Sequence, residues 1–100
     1  MNNANTTRRK IQAHLWMWQF RVKDRADTAP YDLLVNGKWR VRIVESDEAN
    51  AITLRMLKDC DVLAVYIPKT QQRLYSRGQV EGEYRKFTEY QKTPRLIFNE

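Results

Sequence analysis

One hundred residues suit one domain with a single core. With 42% apolar and 11% aromatic residues the chain is expected to fold rather than stay disordered. Eighteen lysines and arginines against 12 acids give a net charge of +6, with nine basic and six acidic residues in each half, so the excess is spread over the fold and not held in a tail. Such a surface favours a polyanionic partner, nucleic acid first. No run reaches membrane-spanning length and the N-terminus lacks a signal-peptide core, so an intracellular, cytoplasmic setting is expected, with no membrane partner.

Residues 1–5 read as a polar tail. Thr6 or Thr7 is placed to cap a helix from about Arg8, in which Ile11, Leu15 and Trp18 share one face, widened by Trp16 and Met17. Arg8, Arg9 and Lys10 occupy its first turn, where the helix dipole disfavours positive charge and a bound phosphate would offset it. Phe20 to Lys23 alternates as a short strand. Tyr31 to Val35 and Lys38 to Val44 are strand-like runs joined by Asn36-Gly37, the pair that a type I′ hairpin turn requires. On the second run Trp39, Val41 and Ile43 point one way, and Lys38, Arg40, Arg42 and Val44 the other.

Ser46 or Asp47 then caps a predicted helix over 47–58. Cys60 is the only cysteine, which excludes an intrachain disulfide and a cysteine zinc site. Flanked by Asp59 and Asp61, it reads as a buried, unreactive thiol. Val62 to Ile67 is a continuous apolar run of central-strand type, stopped by Pro68. A short strand is expected at 73–75. Val80, Tyr84, Phe87 and Gln91 suggest a C-terminal helix over 80–93, ending before Pro94. His14 is the only histidine and has no metal-ligand partner in sequence. Trp16, Tyr75 and Tyr90 are candidates for stacking on bases.

The order helix, three strands, helix, strand, with an acid opening the second strand, resembles the PD-(D/E)XK nuclease superfamily of restriction enzymes and Holliday-junction resolvases. Pro30-Tyr31-Asp32-Leu33-Leu34-Val35-Asn36-Gly37-Lys38 is similar to the family's Asp-bearing strand and turn, and Asp61-Val62-Leu63-Ala64-Val65-Tyr66-Ile67-Pro68 to its fourth strand. The resemblance covers residues 8 to 76. It implies an α/β fold, a small restriction-endonuclease-like αβββαβ core with a mixed sheet flanked by helices, across a single domain 1–100. In active members the Asp and a second acid hold Mg²⁺, and a lysine two residues after that acid assists. Here Asp32 matches the first acid, but the second acid falls on Arg42 and the lysine on Val44. A bulge at the strand exit would bring Glu45 to the catalytic face, whereas strict alternation puts it on the side of Val41 and Ile43.

The resulting expectation is a nucleic-acid-binding domain, DNA before RNA, with impaired catalysis and no cofactor needed for binding. Arg8, Arg9, Lys10, Lys38, Arg40 and Arg42 are its candidate phosphate contacts. Its rivals are a small Mg²⁺-dependent DNA endonuclease, with Asp32 and Glu45 as catalytic and metal-holding residues, and a protein-interaction domain, a homodimer included.

Overall fold

Helix α1 spans Asn3–Met17 and buries Ile11 and Leu15 completely against the sheet. It starts earlier than the spacing predicts, so Thr6 and Thr7 lie inside it and neither caps it. Thr7 is buried, and its hydroxyl donates instead to Glu45 on the sheet. A Schellman-type turn closes the helix: Phe20 N–H donates to Leu15 O at 3.1 Å and Gln19 N–H to Trp16 O at 2.8 Å, with Gln19 in the left-handed region at φ 65°. The computed structural model describes residues 3–24, 31–45, 60–82 and 84–98.

Among the described residues six strands form one mixed sheet: β1 (Val22–Asp24), β2 (Leu33–Val35), β3 (Trp39–Glu45), β4 (Val62–Ile67), β5 (Gln72–Arg77) and β8 (Tyr90–Gln91), in that spatial order. Only the β3–β4 pairing is parallel; the rest are antiparallel. Strand β1 is two residues later than the alternation of Phe20 to Lys23 suggests, because Phe20 completes the helix-closing turn. The β2–β3 hairpin forms as predicted: Asn36 and Gly37 both take positive φ, 55° and 67°, and Val35 O accepts from Lys38 N at 3.0 Å. A parallel pair needs a crossover between its strands. The helix predicted at 47–58 falls in that connection, outside the described residues.

The pleat divides the core in two. Toward α1 lie Leu33, Val35, Val41, Val62, Ala64, Tyr66 and Tyr75, joined by Phe98 and Ile97 from the C-terminal segment. On the other face Val44, Leu63 and Val65 make a smaller cluster, extended by Ile67, Leu74 and Phe87. Strand β4 is buried on both faces, as its unbroken apolar run requires.

The expected C-terminal helix over 80–93 is not formed. Strands β6 (Gln79–Glu81) and β7 (Tyr84–Lys86) make a separate two-stranded ribbon, and β8 pairs with β5. Gly82, at φ 64°, supplies the left-handed turn of the ribbon, and it is the residue that a helix there would tolerate least. Phe87 leaves the ribbon to pack on the second apolar cluster, so the spacing that mimicked a helical face reflects a turn and one anchored aromatic. The architecture is therefore α/β, with one α-helix among the described residues and a mixed six-stranded sheet. Among those residues no helix is long and apolar enough to cross a membrane.

Candidate functional site

Strict alternation along β3 sends Arg40, Arg42 and Val44 to the face away from α1, and Asp32, one residue before β2, joins them across the hairpin. Asp32 is held by the ladder itself. Its N–H donates to Val41 O at 2.8 Å and its Oδ2 accepts from Ile43 N–H at 2.8 Å, so the carboxylate finishes the pairing where β2 has run out. Arg42 Nε stands 3.9 Å from the same Oδ2, both side chains about three-quarters covered. Val44, where the resemblance implies a lysine, is 6% exposed among Leu63 and Val65.

Glu45 does not join this set. It keeps the parity of Val41 and Ile43, lies on the α1 face, and accepts a hydrogen bond from Thr7. No bulge reverses it: β3 pairs with β4 without interruption from Val41↔Val62 to Glu45↔Tyr66. Asp32 and Glu45 are thus on opposite faces of the sheet and cannot share a cation. The guanidinium beside Asp32 does not fit Mg²⁺, and Val44, the next in-phase position along β3, carries no ligand atom. Among the described residues no three His, Cys, Asp or Glu side chains gather as a metal site.

The candidate phosphate contacts separate into different environments. Arg40 is engaged by Asp61, which also meets Arg85 Nη2 at 3.3 Å. Burial alone would push the Asp61 carboxyl up. The hydrogen bonds and charge of Arg40, with the charge of Arg85, outweigh it and hold the group below its ordinary value. Lys38 is exposed and lies 4.8 Å from the Trp39 ring centroid, whose packing it shares with Arg77 at 4.6 Å. Arg8, Arg9 and Lys10 fan out around the helix and do not form one patch. Arg9 faces solvent, Arg8 is half-buried, and Lys10 turns to the sheet.

Under α1 a polar seam crosses three adjacent strands. Thr7 reaches Glu45 on β3, Lys10 Nζ donates to Tyr66 OH on β4 at 2.9 Å, and His14 Nδ1 lies 2.9 Å from Tyr75 OH on β5. The His14 and Tyr75 rings stack nearly parallel, 8° apart. Arg73 of β5 sits over the Tyr66 ring at 5.6 Å from its centroid, with Lys10 at 5.0 Å, and Arg73 Nε donates to Lys10 O at 3.3 Å. Burial, then the charge of Arg73, lowers the His14 pKa, while burial pushes the Tyr75 hydroxyl up. Sequence reasoning names Lys10 but misses Tyr66 and Arg73. The available signal is on the helix: Thr7, Lys10 and His14 recur at i, i+3 and i+7, beside the Ile11–Leu15 stripe.

Of the stacking candidates, Trp16 is 55% and Tyr90 41% exposed, whereas Tyr75 is fully buried and cannot meet a base. Cys60 is buried as expected, and burial, then the Asp61 charge, pushes its thiol up to about 12. Compared with known proteins, the chain matches no protein-family model, no curated protein and no solved structure.

Proposed function

We propose that this chain is a nucleic-acid-binding module on a nuclease-like α/β scaffold, in which an internal ion pair stands where an active relative would hold its metal. The observation that carries the reading is Arg42 beside Asp32, Nε to Oδ2 3.9 Å, with the same oxygen accepting from Ile43 N–H. A cationic side chain there supplies the positive charge that the carboxylate would otherwise take from Mg²⁺. The in-phase position of the assisting lysine is a buried valine, Val44.

The net charge of +6 supports a polyanionic partner. Exposed Arg9 and Lys38, with half-buried Lys10, are the contacts that fit phosphates best, because Arg40 and Arg42 are held by Asp61 and Asp32. The same reading carries DNA before RNA, an intracellular setting and binding without a cofactor. The endonuclease alternative has the weaker geometry, since its two carboxylates lie on opposite sheet faces. A protein-interaction reading, a second copy included, draws on exposed Trp16, Met17 and Leu96, at 55%, 80% and 63% exposure.

The test is incubation with supercoiled, branched and single-stranded DNA, and with RNA, each with and without Mg²⁺ or Mn²⁺. Retardation without cleavage is the expected result. Cleavage abolished by Asp32→Ala and by Glu45→Ala would establish the enzyme instead, and no retardation of any substrate would favour the protein-interaction reading.

A further inference from the structure

We infer that Lys10, Tyr66 and Arg73 form an oxyanion site for a single phosphate group on the α1 face of the sheet; resting on the nucleic-acid reading above, that phosphate is a backbone phosphodiester. Three donors of different kinds meet there. The ammonium of Lys10 is 5.0 Å and the guanidinium of Arg73 5.6 Å from the centroid of one ring, that of Tyr66. Lysine is donor-only, so in the 2.9 Å contact Tyr66 OH accepts from Lys10. The tyrosine's own O–H then remains to donate onward. Arg73 uses Nε on Lys10 O at 3.3 Å and Nη1 on Gln71 O at 3.0 Å, two backbone carbonyls that fix the guanidinium and leave it further N–H groups.

Charge balance points the same way. Among the described residues neither Lys10 nor Arg73 is ion-paired with a carboxylate. Glu45, which faces Tyr66 across β3 and β4, directs Oε1 to Thr7. Elsewhere in the sheet, Asp61 and Asp32 neutralise the cations beside them. At the Tyr66 ring two cations converge without such a partner, and an anion with several acceptor oxygens would take charge-assisted hydrogen bonds from all three residues.

His14 is a built-in reporter, as the only histidine in the chain. Among the described residues the titratable groups placed around it are Tyr75 and Arg73 on β5, with Lys10 one helical turn back on α1 and its partner Tyr66 on β4. The positive charge of Arg73 disfavours a second proton at His14, and an anion bound between Arg73 and Lys10 screens that charge. Anion binding is therefore coupled to protonation of the imidazole.

The experiment follows the His14 ring resonances of the full chain by NMR across a pH titration, with and without inorganic phosphate, chloride replacing it at equal ionic strength. Phosphate should raise the His14 pKa by about 0.5 or more, given two charges within several ångströms. Lys10→Gln and Arg73→Gln, each compared with its own phosphate-free value, should lose most of that rise, and Arg73→Lys should keep part of it. A rise that persists unchanged in both glutamine variants overturns the site. Should a variant unfold, the wild-type backbone amides decide: phosphate shifts confined to residues around Lys10, Tyr66 and Arg73 support the site, and shifts elsewhere only overturn it. A parallel arm uses a short single-stranded oligonucleotide. Oligonucleotide binding without any His14 response, undiminished in both variants, overturns the site and leaves the nucleic-acid reading standing. A His14 response to phosphate with no oligonucleotide binding keeps the site and removes that reading.

Discussion

Arg40 clasps Asp61 at both ends of the carboxylate: its backbone N–H and Nε donate to Oδ2 at 3.0 and 2.9 Å, and Nη2 donates to Oδ1 at 3.2 Å. The Asp61 backbone adds to the junction, donating to Arg40 O at 2.8 Å and accepting from Gly78 N–H at 2.9 Å. One residue thus sets β3, β4 and the exit of β5 in register. Asp61→Ala removes the acceptor of three hydrogen bonds and of the Arg85 ion pair. Arg40 is partly solvated, so the expected loss is about 1–3 kcal/mol, measured by urea unfolding at neutral pH. The pKa of Asp61 is lowered in the fold, so its contribution is present above the ordinary carboxylate value of about 3.9 and is lost as pH falls through the lower folded value. Asp61→Asn should accordingly flatten the acid limb of the stability profile below about pH 4. An unchanged limb would mean that other carboxylates dominate it.

The hairpin was legible because a two-residue turn with positive φ admits few residue pairs, and Asn36-Gly37 is one of them. Period-two alternation likewise placed Arg40, Arg42 and Val44 on one face of β3 and Glu45 on the other. The ribbon at β6 and β7 was not legible, since Val80, Tyr84 and Phe87 match a helical face as well as they match strands, and only the Gly82 turn decides between them. Tyr66 and Arg73 were hidden for another reason. Their role depends on α1 crossing the sheet above them, which no local pattern encodes, whereas the helix side of the seam recurs visibly as Thr7, Lys10 and His14.

The turn that closes α1 leaves room for improvement. Gln19 occupies the left-handed position that glycine usually fills, at φ 65°. An L side chain there costs about 1 kcal/mol relative to glycine, partly offset by the greater freedom that glycine has when unfolded. Gln19→Gly should therefore stabilise the protein by a few tenths to about 1 kcal/mol, seen as a rise in the urea midpoint with no change in slope. A fall in the midpoint would show that the glutamine side chain makes a contact worth more than the strain.

Building a nuclease-like triad on this hairpin meets a packing obstacle. Val44 is 6% exposed against Leu63 and Val65, so Val44→Lys drives an ammonium into an apolar cluster. The double change Arg42→Glu with Val44→Lys also replaces the Asp32–Arg42 pair with two adjacent carboxylates. The expected outcome is a loss of about 3–5 kcal/mol and no gain of Mg²⁺-dependent cleavage. Arg42→Glu alone should lose less, because residue 42 is partly exposed. Efficient cleavage by the double variant would show that the lysine finds a route to solvent and to the phosphate.

Salt dependence separates the arginines held by acids from the cations turned to solvent. If the basic surface binds duplex DNA through about four to five phosphates, log K should fall against log salt with a slope of about −4, because each neutralised phosphate releases condensed counterions. Arg9 and Lys38 are exposed, and Arg9→Ala or Lys38→Ala should each flatten that slope by about one unit at little cost in stability. Arg40 is bound bidentately to Asp61, so Arg40→Ala should cost stability and leave the slope nearly unchanged. Titrations of one DNA duplex between low and physiological salt, with all three variants, supply the comparison. If Arg40→Ala flattens the slope as much as Lys38→Ala does, the hairpin face exchanges Asp61 for phosphate on binding, and the interface includes that face as well.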